Sequence, residues 1–248
     1  MDRLVYTSLS AMQRLREAQA VTAHNLANLA TPGFRREMVA FQPGHLVPVP
    51  ADAALPTRVQ AGGETRHDLL RAGRLETTGR ALDVAPEGGT WLVVEAKDGG
   101  EALTRRGDLR IAPDGTLVTG DGHPVVGTGG SVRLAAGLAD VRIGADGRVE
   151  TRAAPDQPFV EVDRLKLVSP DPATLVRGTD GLFRPPAPLS PDPLASVVPG
   201  ALERSNVELA QALVELVEQA RAFEVQAKLL ETAREADEQA AQLMRVSG

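Results

Sequence analysis

Apolar residues recur at helical intervals from Leu4 to Leu29. Val5, Met12, Leu15, Thr22, Leu26 and Leu29 fall on a seam spaced by threes and fours, interrupted at Ser8 and Gln19. This pattern predicts an amphipathic helix. It should stop at Thr31-Pro32-Gly33, because a proline pushes the preceding residue out of the α region and glycine permits a turn. Residues 36–76 carry Pro43, Pro48, Pro50 and Pro56 with Gly44, Gly62 and Gly63, show neither helical nor strand periodicity, and are expected to form an extended connector. From 77 to 184 the chain turns to short β-branched runs, among them Trp91 to Val94, Leu117 to Thr119, Val141 to Ile143 and Arg164 to Val168. Asp-Gly pairs at 98–99, 114–115, 121–122, 146–147 and 180–181 separate them and suit the positive φ angles of tight turns, so an antiparallel β domain is expected. Pro185, Pro186, Pro188, Pro191, Pro193 and Pro199 then predict a stiff linker over 185–200.

The last segment carries the clearest periodicity. Ser205 followed three residues later by Glu208 has the form of a capping box. Leu209, Leu213, Leu216, Ala220, Phe223, Ala227 and Leu230 then alternate steps of four and three, the repeat that keeps one seam facing a partner helix. Beyond Leu230 the apolar positions run through Ala233, Ala236, Ala240 and Leu243. The two successive steps of three at Ala227-Leu230-Ala233 predict a phase break. The expected fold class is therefore α+β. Terminal helices (1–35 with 201–246) form a coiled-coil-like inner domain, joined by the connector 36–76 and the linker 185–200 to a central antiparallel β domain, 77–184.

Composition narrows the function classes. The 248 residues are 42% hydrophobic, enough for one sizeable core or two modest ones. A formal net charge of -6 offers no general attraction to a polyanion, so nucleic acid is not an expected partner. There is no cysteine, hence no disulfide framework or thiolate metal site. No run of 18 apolar residues occurs, so no membrane span is expected, and Arg14 and Arg16 fall where a cleavable signal peptide needs apolar residues. Charge is distributed unevenly. Residues 1–36 sum to +3 and residues 201–248 to -4, which favours the two ends meeting each other or those of a neighbour.

No catalytic, cofactor-binding or metal-ligating constellation emerges. His24, His45, His67 and His123 lie far apart with no partner at ligand spacing, and the Asp-Gly pairs lack the acidic spacing and terminal glutamate of a calcium loop. Gly127, Gly129 and Gly130 match no phosphate-binding fingerprint. Asn25 and Asn28 suit a helix end as caps and turn formers. By periodicity alone the Leu209 to Leu230 seam serves equally well as the core of a helical pair within one molecule or as a surface for a partner.

The run VTAHNLANLATPGFRR, Val21 to Arg36, resembles the signature of the flagellar rod and hook axial protein family, carried here by Asn25, Leu26, Asn28, Thr31, Pro32, Gly33 and Phe34. Thr78 to Glu95 resembles the start of that family's β domain and Leu103 to Gly127 the strand pairs after it. Leu202 to Val207 and Ala220 to Leu230 are similar to its closing helix. The opening MDRLVYTSLSAM and the ending ARAFEVQAKLLETA look most like the proximal-rod member. Leu103, Trp91 and Phe223 replace aromatics usual in the family. The resemblance implies a structural subunit without enzymatic activity or cofactor, packing through its terminal helices with copies of itself and other flagellar rod proteins. It also implies export through the flagellar type III apparatus and a place in the basal body. The signature residues would then serve export and assembly. Val5, Met12, Leu15, Leu26 and Leu29, with Leu209, Leu213, Leu216, Ala220, Phe223, Ala227 and Leu230, would form the subunit-packing seam. Two other readings are a distal-rod or hook subunit of the same family and, from a different class, a monomeric β-domain binding protein or hydrolase.

Overall fold

The computed structural model describes residues 2–45, 59–68, 71–135 and 137–246, with backbone alone at 2–6, 40–45, 59–68, 237 and 240–246. The chain divides into two compact units. One comprises Met1–Ala27, Arg36–Leu69 and Val207–Gly248, and the other Asn28–Arg35 and Leu70–Asn206.

In the first unit, helix α1 (Asp2–Ala27) packs on helix α2 (Leu209–Val246). Helix α2 begins later than its capping box suggests. Glu208 supplies the carbonyl that accepts the first helical hydrogen bond, from the Ala212 amide at 3.0 Å. Ser205 stays outside the helix because its neighbours are held extended: the Arg204 amide donates to the Arg74 carbonyl at 2.8 Å and the Asn206 amide to the Phe34 carbonyl at 3.4 Å. Tertiary hydrogen bonds here outweigh a local cap. The stretch 36–76, expected to be an extended connector, contains an antiparallel hairpin of Glu37–His45 with Val59–Asp68. Its register shifts between Phe41 and Pro43, and an irregularity of that kind is where a strand tolerates a proline.

The second unit is almost entirely β, and its strands are short. Five pair antiparallel in the order Leu167–Val168, Trp91–Glu95, Glu101–Thr104, Phe183–Arg184, Val176–Arg177. A second sheet orders Asp140–Ile143, Arg148–Arg152 and Val160–Arg164. The expected single run from Arg164 to Val168 is split, because the Leu165 amide bonds the Gly147 carbonyl at 2.8 Å and the Lys166 amide the Val126 carbonyl at 2.9 Å. All five glycines of the Asp-Gly pairs adopt positive φ, between 79° and 93°, a conformation that costs glycine little and other residues much.

The run Trp91 to Val94 is apolar without alternation because its strand is buried on both sides. Leu92 and Val94 join a large cluster with Leu109, Leu117, Val125, Val149 and Leu165, while Trp91 and Val93 meet Leu103, Val168 and Phe183. Trp91 and Phe183 pack edge to face, ring centroids 4.9 Å apart. Trp91 and Leu103, which depart from the family's usual aromatics, are both buried in this second cluster. The proline-rich stretch 185–200 also differs from a free linker in its second half. Ala195 and Val197 enter the large cluster, and Val197–Pro199 pairs antiparallel with Val84–Pro86.

Candidate functional site

Each helix of the first unit turns inward a line in which small and polar residues alternate with a few large apolar ones. On α1 the line is Ser8, Ala11, Leu15, Ala18, Thr22 and Asn25, alternating steps of three and four. Ser8, expected to interrupt the seam, is on it and buried. On α2 the buried and half-buried line is Ala212, Leu216, Gln219, Phe223, Gln226, Leu230 and Ala233. It keeps alternating steps of four and three through Leu230, so the expected phase break is absent up to Ala233. Gln219 donates from Nε2 to Thr22 Oγ1 at 3.0 Å, while its Oε1 is buried with no hydrogen-bond partner among the described residues. Arg36 forms an ion pair with Glu215, joining the basic N-terminal and acidic C-terminal segments within this unit.

Large apolar side chains occupy the other faces of α2 as well. Leu209, Leu213, Val214 and Val217 are 44–57% exposed, as are Val225 and Leu229 further along. At about 100° per residue, Leu209, Leu213, Val217 and Ala220 fall within roughly 80° of one another and form one stripe. The seam read from the sequence therefore straddles two surfaces. Leu216, Phe223 and Leu230 lie on the inner line, whereas Leu209, Leu213, Ala220 and Ala227 are exposed. Met12, Leu15, Leu26 and Leu29 are half-buried, and the side chain of Val5 lies outside the described residues.

The signature residues adopt two distinct arrangements. Asn25, at the end of α1, pairs its side-chain amide with the backbone of Glu37: Nδ2 donates to the Glu37 carbonyl and Oδ1 accepts from the Glu37 amide, both at 2.9 Å. This ties the helix end to the first strand of the hairpin. The following residues belong to the β unit. The Thr31 amide donates to the Asn28 carbonyl at 3.2 Å and the Phe34 amide to the Thr31 carbonyl at 3.3 Å, giving two successive turns with Pro32 between them. Gly33 has φ of +69°, and a Cβ there would stand 2.4 Å from the Arg105 carbonyl, so both conformation and space exclude a side chain. Its amide donates to the Glu203 carbonyl at 2.7 Å. Phe34 is buried, with the Arg177 guanidinium 4.6 Å from its ring centroid.

At the centre of this arrangement is one buried carboxylate shared by two buried guanidiniums. Glu203 Oε1 lies 2.7 Å from Arg35 Nη2 and accepts from the Gly73 amide at 2.6 Å, while Oε2 lies 2.6 Å from Arg105 Nε. Arg105 donates onward to the carbonyls of Pro86, Gly88 and Thr90. Arg35 donates to the Arg71 carbonyl, which also accepts from Asn206 Nδ2 at 2.9 Å. The three charged side chains are only 1–3% exposed. Burial lowers the Arg35 guanidinium to about 10; the Glu203 carboxylate opposes that shift and Arg105 reinforces it. None of the three residues stands out in the sequence, although each lies inside or beside a stretch that resembles the family. Among the described residues, no group of three or more His, Asp or Glu is placed to hold a metal. No helix in them is long and apolar enough to cross a membrane.

Three family profiles match the chain. "Flagella basal body rod protein" covers residues 5–35, "Flagellar hook protein FlgE/F/G D1 domain" covers 85–151, and "Flagellar basal body rod FlgEFG protein C-terminal" covers 198–243. Over 100% of both chains the sequence is 38% identical to the flagellar basal-body rod protein FlgF of Salmonella typhimurium strain LT2 and 37% identical to that of Escherichia coli K12. It is also 33% identical to the FlgF protein of Caulobacter vibrioides, over 95% of each chain. The chain belongs to the flagellar basal-body rod protein family, FlgF type. The three family regions each supply one member of the buried charge cluster: Arg35 from the first, Arg105 from the second and Glu203 from the third. The charge cluster thus gathers the parts of the chain by which a rod protein is recognised.

Proposed function

We propose that this chain is a structural subunit of the proximal part of the bacterial flagellar basal-body rod, supporting motility by a mechanical role. In this reading it is exported through the flagellar type III apparatus and assembles through its terminal helices with copies of itself and with other rod proteins. The observation that carries the reading is the placement of apolar side chains on α2. Leu209, Leu213, Val214 and Val217 are exposed, in addition to Leu216, Phe223 and Leu230 on the inner line. A helix serving only its own molecule needs one apolar stripe, and α2 carries a second on its exposed side. The 4-3 spacing of the inner line supports a short left-handed coiled coil of α1 with α2. The exposed stripe then meets a neighbour's helices through a heterologous, non-closing contact, which builds a tube. Identity of 38% and 37% to the FlgF proteins of Salmonella typhimurium and Escherichia coli, against 30% and 27% to the FlgG proteins of Agrobacterium fabrum and Bacillus subtilis, favours the proximal position over a distal-rod or hook subunit.

The test replaces Leu213 and Val217 with aspartate, which puts charge where an assembled rod must exclude water. The purified variant should keep the circular dichroism spectrum of the parent, be missing from isolated basal bodies and leave cells non-motile. Normal incorporation with normal motility would remove the stripe as an assembly surface.

A further inference from the structure

We propose that Glu203 is a closure latch that couples the two chain segments leaving the β unit, 28–35 and 201–206, so that they dock and undock together.

Five observations within that unit support this. The single Glu203 carboxylate meets Arg35 from the first segment and Arg105 from the body of the unit, and nothing else among the described residues neutralises that pair of buried cations. The Glu203 carbonyl holds the Gly33 amide at the tightest turn of the signature. The Phe34 carbonyl in return accepts from the Asn206 amide, closing a ring of hydrogen bonds between the segments. A third stretch joins them, since the Arg71 carbonyl accepts from both Arg35 and Asn206 and the Gly73 amide donates to Glu203 Oε1. The strand Ala201–Glu203 is completed by pairing with Leu75–Thr77 in a sheet of two strands among the described residues.

Losing one member therefore affects both segments. If 28–35 undocks, Glu203 keeps one guanidinium and loses the Gly33 and Arg35 bonds, and the Phe34 carbonyl that holds Asn206 departs. If 201–206 undocks, Arg35 and Arg105 face each other in a water-poor site without an anion, which is strongly unfavourable. Half-docked states are the costly ones, and cooperativity follows. In the lone chain the signature from Thr31 to Arg35 is then already folded into the β unit.

Hydrogen exchange by mass spectrometry on the full chain tests this. In the parent, amides of 31–35, including Gly33, should be protected to the same degree as those of 201–206. Arg35→Met should accelerate exchange not only in its own segment but at 201–206 and 73–77, by roughly ten-fold or more, with Trp91–Glu95 nearly unchanged. Glu203→Gln should release 28–35 reciprocally. If Arg35→Met does not fold, Arg35→Lys, which keeps the charge but loses the forked reach to both acceptors, should show the same cross-segment effect in milder form. The latch is overturned if 31–35 exchanges like free chain in the parent. It is equally overturned if the Arg35 variants speed only their own segment and leave 201–206 as protected as before.

Discussion

The β unit and the helical unit use hydrophobic residues in opposite ways. In the β unit Leu92, Leu109 and Leu117 are fully buried, and the shared strand Trp91–Glu95 is covered on both sides. In the helical unit the large residues Leu209, Leu213, Val214 and Val217 are about half exposed, while Ser8, Ala18, Thr22, Ala212 and Ala233 are buried. Burial of apolar area is the main favourable term in folding, at about 25 cal/mol per Å². The β unit has collected most of that term within its own chain, with Val160, Val176 and Leu194 left outside. The helical unit retains much of it unspent on its surface, which is the arrangement expected of a part completed by association.

The sharpest way to break this contrast is to cut both sides of it. Leu117→Ala should destabilise the β unit by about 2–5 kcal/mol through lost transfer energy and a residual cavity, read as a lowered urea midpoint followed by Trp91 fluorescence. Gly33→Ala should cost roughly 1–3 kcal/mol for the positive φ, with the overlap on Arg105 adding to it, and the loss should appear in the same transition because Gly33 belongs to that unit. Gln219→Leu should change stability in the opposite direction, by about 1 kcal/mol. It removes a buried unpartnered oxygen, and Thr22 keeps its bond to the Ala18 carbonyl, so helical ellipticity should melt at a higher temperature.

Asp180→Asn probes the turn that carries Asp180-Gly181. Hydrogen bonding to Arg184 lowers the Asp180 carboxyl to about 2, so its contribution is complete above the ordinary carboxylate range and fades as pH falls toward 2. The parent should therefore lose stability relative to the variant between roughly pH 4 and pH 2, with a difference of about 1 kcal/mol or less above that window. The smallest effect should come from Leu213→Ala, about 0.5 kcal/mol for the isolated chain, because that side chain is already about half exposed. A loss like that of Leu117→Ala would show that the exposed stripe is covered in the isolated chain and erase the contrast.

Much of the fold was legible in the sequence. The Asp-Gly pairs marked turns because a positive φ is a local demand that few residue types meet, and all five glycines adopt it. The two long helices and the strand at Trp91 were visible for the same kind of reason, since periodicity and β-branching act over a few neighbours. The helical seam was legible in period and straddles two surfaces in phase. Following the apolar residues led to Leu216, Phe223 and Leu230 on the inner line and equally to Leu209 and Leu213 on the exposed stripe, while the inner line also takes in Ala212, Gln219 and Gln226. Hydrophobicity identifies a surface that must be covered somewhere and does not say by which molecule. The hairpin within 36–76 and the packed half of 185–200 were missed because proline and glycine report what the local backbone resists, and pairing partners elsewhere in the chain supplied what local preference did not.

What the sequence determined by itself was the two terminal helices and the central β region, the family and the charge asymmetry of the two ends. These rest on local chemistry and on motifs whose residues are adjacent. What only the tertiary structure decided was the meeting of Arg35, Arg105 and Glu203, the start of α2 at Leu209 in place of the capping box at Ser205, and the line along which the helices bury. Each of these depends on groups tens to well over a hundred residues apart satisfying one another's hydrogen bonds and charges away from water. That condition is set by where the chain returns in space, and a buried arginine looks in sequence like any other arginine.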